Sequence, residues 1–203
     1  MNKKSLIKSK DRNMLYTGFG DNGSTTLFDC KQTRISKSAN LIEALGSVDE
    51  LNAFLGVVKT SSRSSDVSIK IRIKILTLSE VILDIQQKLF VIQAELGGSQ
   101  MSIKKSDLKK LENLIEELAN ALPPIKSFTI SGGSFESATL DFARTLARRA
   151  ERRVVSVCEE GVRKVSPNTI AYLNRLSSLL FALSRYTNHF LKIEEDHPQY
   201  NKK

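Results

Sequence analysis

Apolar residues recur every three or four positions over most of this chain, and no other feature constrains its fold as strongly. Across about 39–60, Leu41, Leu45, Val48, Leu51, Leu55 and Val58 keep that spacing while Asp49 and Glu50 take the other side, as one face of a 3.6-residue helix requires. A second run from about Asp66 to Leu96, including Ile73, Leu76, Val81, Ile85, Leu89 and Ile92, predicts a helix long enough to cover a bundle. A third is expected after the N-cap candidate Ser106, carrying Leu108, Leu111, Ile115 and Leu118 before Pro123-Pro124 ends it. Leu140, Ala143, Ala147, Ala150, Val154 and Val157 mark a fourth. The last has Ser166 as N-cap, Pro167 at the first helical position and Leu173, Leu176, Leu180 and Leu183 on its core side. Long apolar stripes joined by short connections can be buried only against one another, so the expected fold is all-α, a five-helix bundle.

At 203 residues and 40% hydrophobic content the chain is large enough for one compact domain. The expected division is a flexible basic tail over 1–14, a helical domain over 15–191 and a C-terminal tail over 192–203. The net charge of +9 suggests nucleic acid or a membrane surface as partners. Much of the excess, however, lies in Lys3, Lys4, Lys8, Lys10, Arg12, Lys202 and Lys203. Without tryptophan or interleaved aromatics there is no stacking platform for single strands, and no nucleic-acid partner is expected. No stretch approaches the ~18 apolar residues of a membrane span, and the basic start is not followed by an apolar segment, so a cytoplasmic location is expected. Cys30 and Cys158 have no partners at metal-ligand spacing and read as reduced thiols; His189 and His197 read as surface histidines.

Two segments carry candidate chemistry. In the fourth helix, Arg144 and Arg148 fall one turn apart near the border of the apolar face, with Glu151 on the same side and Arg149 and Arg152 pointing away. Partly desolvated guanidinium groups bind phosphate or carboxylate strongly; a solvated basic face is the alternative. The segment from Tyr16 to Leu27 is dense in glycine and hydroxyls. Such a loop can wrap phosphates, although it is neither a Walker A loop nor a dinucleotide fingerprint; a simple hairpin turn is its alternative. Arg34 and Lys37 follow closely and can add cationic contacts. Phe128-Thr129-Ile130-Ser131-Gly132-Gly133-Ser134 has no helical period and reads as an apolar hinge into the arginine helix. On the last helix, Asn174, Ser178, Phe181 and Arg185 share a stripe that faces either a ligand or solvent.

Taken in order, these segments resemble the ATP:corrinoid adenosyltransferases of the propanediol-utilisation type. The resemblance rests on Tyr16-Thr17 with Gly20-Asp21-Asn22-Gly23-Ser24-Thr25-Thr26, on Arg34-Ile35-Ser36-Lys37, and on Gly46-Ser47-Val48-Asp49-Glu50-Leu51-Asn52. It continues through Phe128 with Ser131-Gly132-Gly133, Arg144 with Arg148-Arg149-Ala150-Glu151-Arg152, and Tyr172-Leu173-Asn174-Arg175-Leu176-Ser177. The resemblance implies a helical bundle that assembles as a homotrimer with ATP sites between subunits. Thr17, Gly18, Phe19, Gly20, Thr25, Thr26 and Lys37 are expected at ATP, together with Arg148, Arg149, Glu151, Arg152 and Asn174 from another part of the interface. It implies pairing of Asp49 with Arg144 across subunits. Phe128 is expected to line the corrinoid pocket and keep the lower axial position of cobalt vacant. The chain departs from the family pattern at Gly18-Phe19, where a basic residue and then Thr or Asn is usual, at Ser178, where Asp is common, and at Leu41, where Arg is common.

The activity so implied is transfer of the 5′-deoxyadenosyl group of ATP to cob(I)alamin or a related corrinoid, giving adenosylcobalamin and triphosphate. Its requirements are ATP, Mg²⁺ and cob(I)alamin. A corrinoid or flavoprotein reductase as electron source and an adenosylcobalamin-dependent acceptor enzyme are the implied partners. The catalytic set is Arg148, Asp49, Arg144 and Phe128, and no metal ligand is assigned. The rival reading is a non-enzymatic helical bundle that binds nucleotides or partner helices.

Overall fold

The computed structural model describes residues 15–28, 33–62, 67–71 and 74–200. The basic start and Cys30 and Ile73 therefore lie outside the described residues. Five helices dominate: α1 (Asn40–Ser61), α2 (Leu78–Leu96), α3 (Lys105–Ala121), α4 (Phe135–Glu159) and α5 (Pro167–Phe190). Two small antiparallel pairs accompany them, β1 (Ser24–Thr25) with β2 (Ile35–Ser36) and β3 (Ser68–Ile71) with β4 (Lys74–Thr77). α1 packs between α2 and α4, and α5 packs between α4 and α3. The apolar stripes predicted for α1, α4 and α5 form the core: Val48, Leu51, Leu55, Leu140, Ala147, Val154, Leu173 and Leu180 are all fully buried.

The helix expected from Asp66 begins instead at Leu78, preceded by the β3–β4 hairpin. From Val67 to Ile75 the apolar residues alternate strictly, which is a strand period, and β-branched side chains fit a pleated surface. Val67 and Ile69 are buried while Lys70 is exposed. Thr77 fixes the boundary: its hydroxyl accepts the Glu80 N–H at 3.2 Å, and the Glu80 carboxylate accepts the Thr77 N–H at 2.7 Å, the reciprocal arrangement that starts a helix. α3, by contrast, starts earlier than expected. Lys104, not Ser106, occupies the N-cap position, because the Asp107 carboxylate accepts the Lys104 N–H at 3.2 Å. At α5 the expected cap stands, with Ser166 accepting the Asn168 N–H and Pro167 in the first turn.

Glu95 ties three elements together. This buried carboxylate at the end of α2 accepts the Ser166 N–H at 2.7 Å and the Thr169 hydroxyl at 2.6 Å. Thr169 in turn accepts the Ile103 N–H at 3.3 Å. A carboxylate at a helix N-terminus satisfies orphan donors and complements the dipole, so α2 fixes where α5 begins.

Candidate functional site

The Tyr16–Leu27 loop is shaped by two glycines with positive φ, Gly18 at +70° and Gly23 at +74°. One tight turn starts on Gly18, with Asp21 N–H to Gly18 O at 3.2 Å, and another ends on Gly23, with Gly23 N–H to Gly20 O at 3.1 Å. Arg34 holds the loop in place, donating to Ser24 Oγ at 2.6 Å, to Ser24 O at 2.7 Å and to the Phe19 carbonyl. Its expected contact with a polyphosphate gives way to this scaffolding role, since the guanidinium is spent on loop oxygens. Lys37 is placed differently. Its side chain is exposed, and its ammonium lies so close to the loop that a Cβ on Gly20 would sit 2.9 Å from Nζ. Glycine at 20 therefore leaves room for a cation against the loop. Thr17, Gly18, Phe19 and Thr26 are exposed, and Thr25 is half-buried in β1.

At the start of α4, Ser134 caps the helix by accepting the Ser137 N–H at 3.0 Å. Gly133, at φ +94°, leaves the space in which Asn188 sits. The Asn188 amide donates to Gly132 O at 3.1 Å and accepts the Ser134 N–H at 3.1 Å. The Ser131-Gly132-Gly133 segment is thus a seat on α5. The pattern of α5 residues does not betray Asn188, because its partners lie more than fifty positions away.

About three and a half turns into α4, on its exposed side, the predicted anion residues converge. Arg148, Glu151, Arg152, Ser156 and Asn174 line one open depression of about 280 Å³. Asn174 donates to Glu151 Oε1 at 2.7 Å and accepts from Arg175 Nη1 at 2.7 Å, which leaves Arg148 and Arg152 exposed. Arg149 lies elsewhere. It does not point away from the bundle but reaches α1, where it pairs with Glu50. Arg144 lies 3.4 Å from Asp141 on its own helix, while Asp49 on α1 accepts from Gln93 of α2 at 3.0 Å. Phe128 stands in the connection before α4 and is 79% exposed.

Within the chain the loop departs from one end of the depression. Asn40, just past Lys37, donates to both oxygens of Glu160 at 2.8 and 2.9 Å, so the loop leaves the bundle at the C-terminal end of α4. Ser156 and Glu159 carry the depression up to that end, while Arg148 is twelve residues back along the helix, about 18 Å at 1.5 Å per residue. Ser156, which lines the depression, donates to Glu160 Oε1 at 2.9 Å, so Glu160 links Asn40 to the near end of the depression.

Arg185 corrects another expectation. It is neither solvated nor facing a ligand: it is buried and paired with Glu195 at 3.0 Å. The segment after α5, expected as a tail, thereby returns to the bundle, and His197 Nδ1 reaches Ser127 Oγ at 3.0 Å and the Phe128 carbonyl at 2.9 Å. Leu41 is buried in the core. Cys158 is a free thiol whose pKa is raised by burial.

Fold and site together define a helical bundle with a depression on α4–α5 lined by two arginines and two glutamates, and a glycine- and hydroxyl-rich loop beside a lysine. Residues 15–187 match the sequence pattern of the cobalamin adenosyltransferase family, and the chain belongs to that family. It is 36% identical over 183 residues to the corrinoid adenosyltransferase PduO of Citrobacter freundii, covering 86% of this chain and 50% of that protein. To the PduO protein of Salmonella typhimurium it is 37% identical, covering 84% and 48%. The chain thus spans about half the length of these two relatives. It also aligns with 93% of a second corrinoid adenosyltransferase of C. freundii at 35% identity, covering 84% of this chain. A variant PduO-type ATP:corrinoid adenosyltransferase from Lactobacillus reuteri, solved with cobalamin and ATP, superposes with a TM-score of 0.79 at 27% identity, covering 92% of this chain and all of that one. Another variant of the L. reuteri enzyme, complexed with ATP, gives 0.77 at 28% identity, covering 91% and 100%.

Proposed function

We propose that this chain transfers the 5′-deoxyadenosyl group of ATP to the cobalt of cob(I)alamin or a related corrinoid, working as a cytoplasmic homotrimer whose ATP sites form between subunits. The observation that carries this reading is the convergence of Arg148, Glu151, Arg152 and Asn174 on one depression, whose Arg148 end lies about 18 Å along α4 from where the loop of the same chain departs. A triphosphate binds best where cations and hydroxyls meet from two sides, so the loop of one subunit completes the depression of the next. Exposed apolar side chains on α1, α2 and α4, among them Val57, Phe90 and Phe142, supply surface for such an interface. Asp49 and Arg144, on helices flanking that surface, pair across it.

The reaction forms a bond from cobalt(I) to C5′ and breaks the bond from C5′ to the triphosphate oxygen, releasing triphosphate. Cobalt(I) is already a strong nucleophile, so the chain needs no general base. Its task is alignment and charge control. Thr17, Gly18, Phe19, Gly20, Thr25 and Thr26 hold the triphosphate through backbone and hydroxyl donors, while Lys37, Arg148 and Arg152 stabilise the charge that grows on the leaving group. Arg149, paired with Glu50, steadies the α1–α4 contact and not the ATP site. Glu151 is held by Asn174 and supplies one carboxylate, which suits Mg²⁺, an ion usually bound by one or two carboxylates plus substrate phosphates. When bound, Mg²⁺ neutralises phosphate charge. Phe128 excludes water and the lower ligand from the corrinoid. A reductase supplies the cobalt(I) state, and an adenosylcobalamin-dependent enzyme accepts the product.

The test is adenosylcobalamin formation from ATP and reduced cobalamin, followed by absorbance. The wild-type chain is expected to form product, and Arg148→Ala to slow it by about 100-fold or more. A wild-type chain that forms none points to the non-enzymatic bundle, and a wild-type rate in the variant contradicts the role of Arg148.

A further inference from the structure

After α5 the chain reverses at Lys192, whose φ is +58°, and Ile193 N–H returns to Asn188 O at 2.9 Å. Residues 193–197 then run back over the end of the bundle as a strap. Its grip is polar. Arg185 Nε donates to the two Glu195 oxygens at 3.0 and 3.1 Å, Nη2 donates to Glu195 Oε2 at 3.0 Å, and the guanidinium also reaches Pro123 O at 3.4 Å. Beyond the clamp, Asp196 O accepts the Ile130 N–H at 2.8 Å. His197 Nδ1 lies 2.9 Å from the Phe128 carbonyl; a carbonyl only accepts, so the proton of that bond belongs to Nδ1. The strap therefore brackets Phe128, binding the backbone at 128 and again at 130, while the ring stays exposed.

A buried ion pair gives little net stability over an apolar contact of the same size, and its best-attested use is to fix register. Here the register that it fixes is that of the strap against residues 127–130. We propose that Arg185, Glu195 and His197 are positioning residues for Phe128, and that through it they set how tightly the corrinoid is held and whether its lower axial position is vacant. This rests on the reading that Phe128 lines the corrinoid pocket. ATP is held by other elements, so the strap acts on one substrate and not the other.

The experiment compares wild type, Phe128→Ala, His197→Ala and Glu195→Gln in the full chain. It measures KM for cob(I)alamin and for ATP separately, and the fraction of bound cob(II)alamin lacking its lower ligand by electron paramagnetic resonance. His197 is exposed, so its substitution leaves the core intact. His197→Ala is expected to raise the corrinoid KM by about fivefold, the equivalent of one hydrogen bond, and Glu195→Gln by about tenfold or more. In both, the vacant-position signal falls and the ATP KM stays within about twofold, well below one hydrogen bond's worth. If Phe128→Ala changes these corrinoid readouts but the strap variants do not, or if the strap variants raise both KM values alike, the positioning role is overturned. If Phe128→Ala itself leaves them unchanged, the assignment of Phe128 falls and the positioning role with it.

Discussion

Gly133→Ala is expected to destabilise the chain heavily although it adds one methyl group. The new Cβ would lie 2.4 Å from Asn188 Oδ1, 2.6 Å from Nδ2 and 2.7 Å from Cγ, all below any tolerable contact. Asn188 is itself buried, so it can yield only by giving up its bonds to Gly132 O and the Ser134 N–H. Each such loss is worth about 1 kcal/mol. The backbone adds its own cost, because φ of +94° at an alanine is strained by roughly 1–2 kcal/mol. Together these give roughly 3–5 kcal/mol, and at 2–4 °C per kcal/mol for a chain of this size the melting temperature should fall by about 10 °C. Thermal unfolding followed by circular dichroism measures it. The steric part can be isolated: Asn188→Ala in the Gly133→Ala background removes the clash but keeps the φ strain, so the double variant should lose less than the sum of the singles. A Gly133→Ala variant melting within about 2 °C of wild type, the worth of less than 1 kcal/mol, or strictly additive losses, would refute this account of the α4 seat.

Glu95→Ala leaves the Ser166 N–H and the Thr169 hydroxyl without their acceptor and should cost roughly 3–5 kcal/mol in urea unfolding, whereas Glu95→Gln, which keeps one oxygen, should cost roughly 1–2 kcal/mol; equal losses would contradict the capping role. Burial, reinforced by Asp84 and Asp107, pushes the Tyr172 hydroxyl well above the ordinary phenol range. Folded Tyr172 thus stays protonated where the unfolded tyrosine ionises, near pH 10, so its contribution is fully present below about pH 10 and is lost as pH rises beyond it. Tyr172→Phe should flatten the fall in melting temperature between about pH 9 and 11, a window spanning the free phenol's pKa; an unchanged slope would contradict the assignment.

The parts of this structure legible in the sequence are those decided locally. α1, α4 and α5 announce themselves through unbroken stripes, and Ser166-Pro167 marks a helix start by itself. The stretch from Val67 to Leu96 carries two periods at once, because isoleucines two apart also fall into three- and four-residue spacings once Leu76 and Val81 are counted. Thr77 and Glu80 carry the boundary signal there. At the site, the grouping of Arg148, Glu151, Arg152 and Asn174 follows from helical geometry on two neighbouring elements. The duties of Arg34 and Arg185 do not, since each is set by distant partners, Phe19 and Ser24 for one and Glu195 and Pro123 for the other. The same holds for Arg149, drawn to Glu50 across the α1–α4 contact.

The claim that a working site needs the loop of one subunit and the arginine helix of another is tested most directly by complementation. Lys37→Ala disables the loop and Arg148→Ala disables the helix, and each variant alone should be nearly inactive in adenosylcobalamin formation. Unfolded together and refolded as mixed trimers, they place an intact loop against an intact helix at about one interface in four, the product of two independent halves in a ring of head-to-tail contacts. The account predicts recovery of about a quarter of the wild-type rate by this arithmetic. Activity that stays at the level of the separate variants would mean that loop and helix serve the same subunit, and would contradict it.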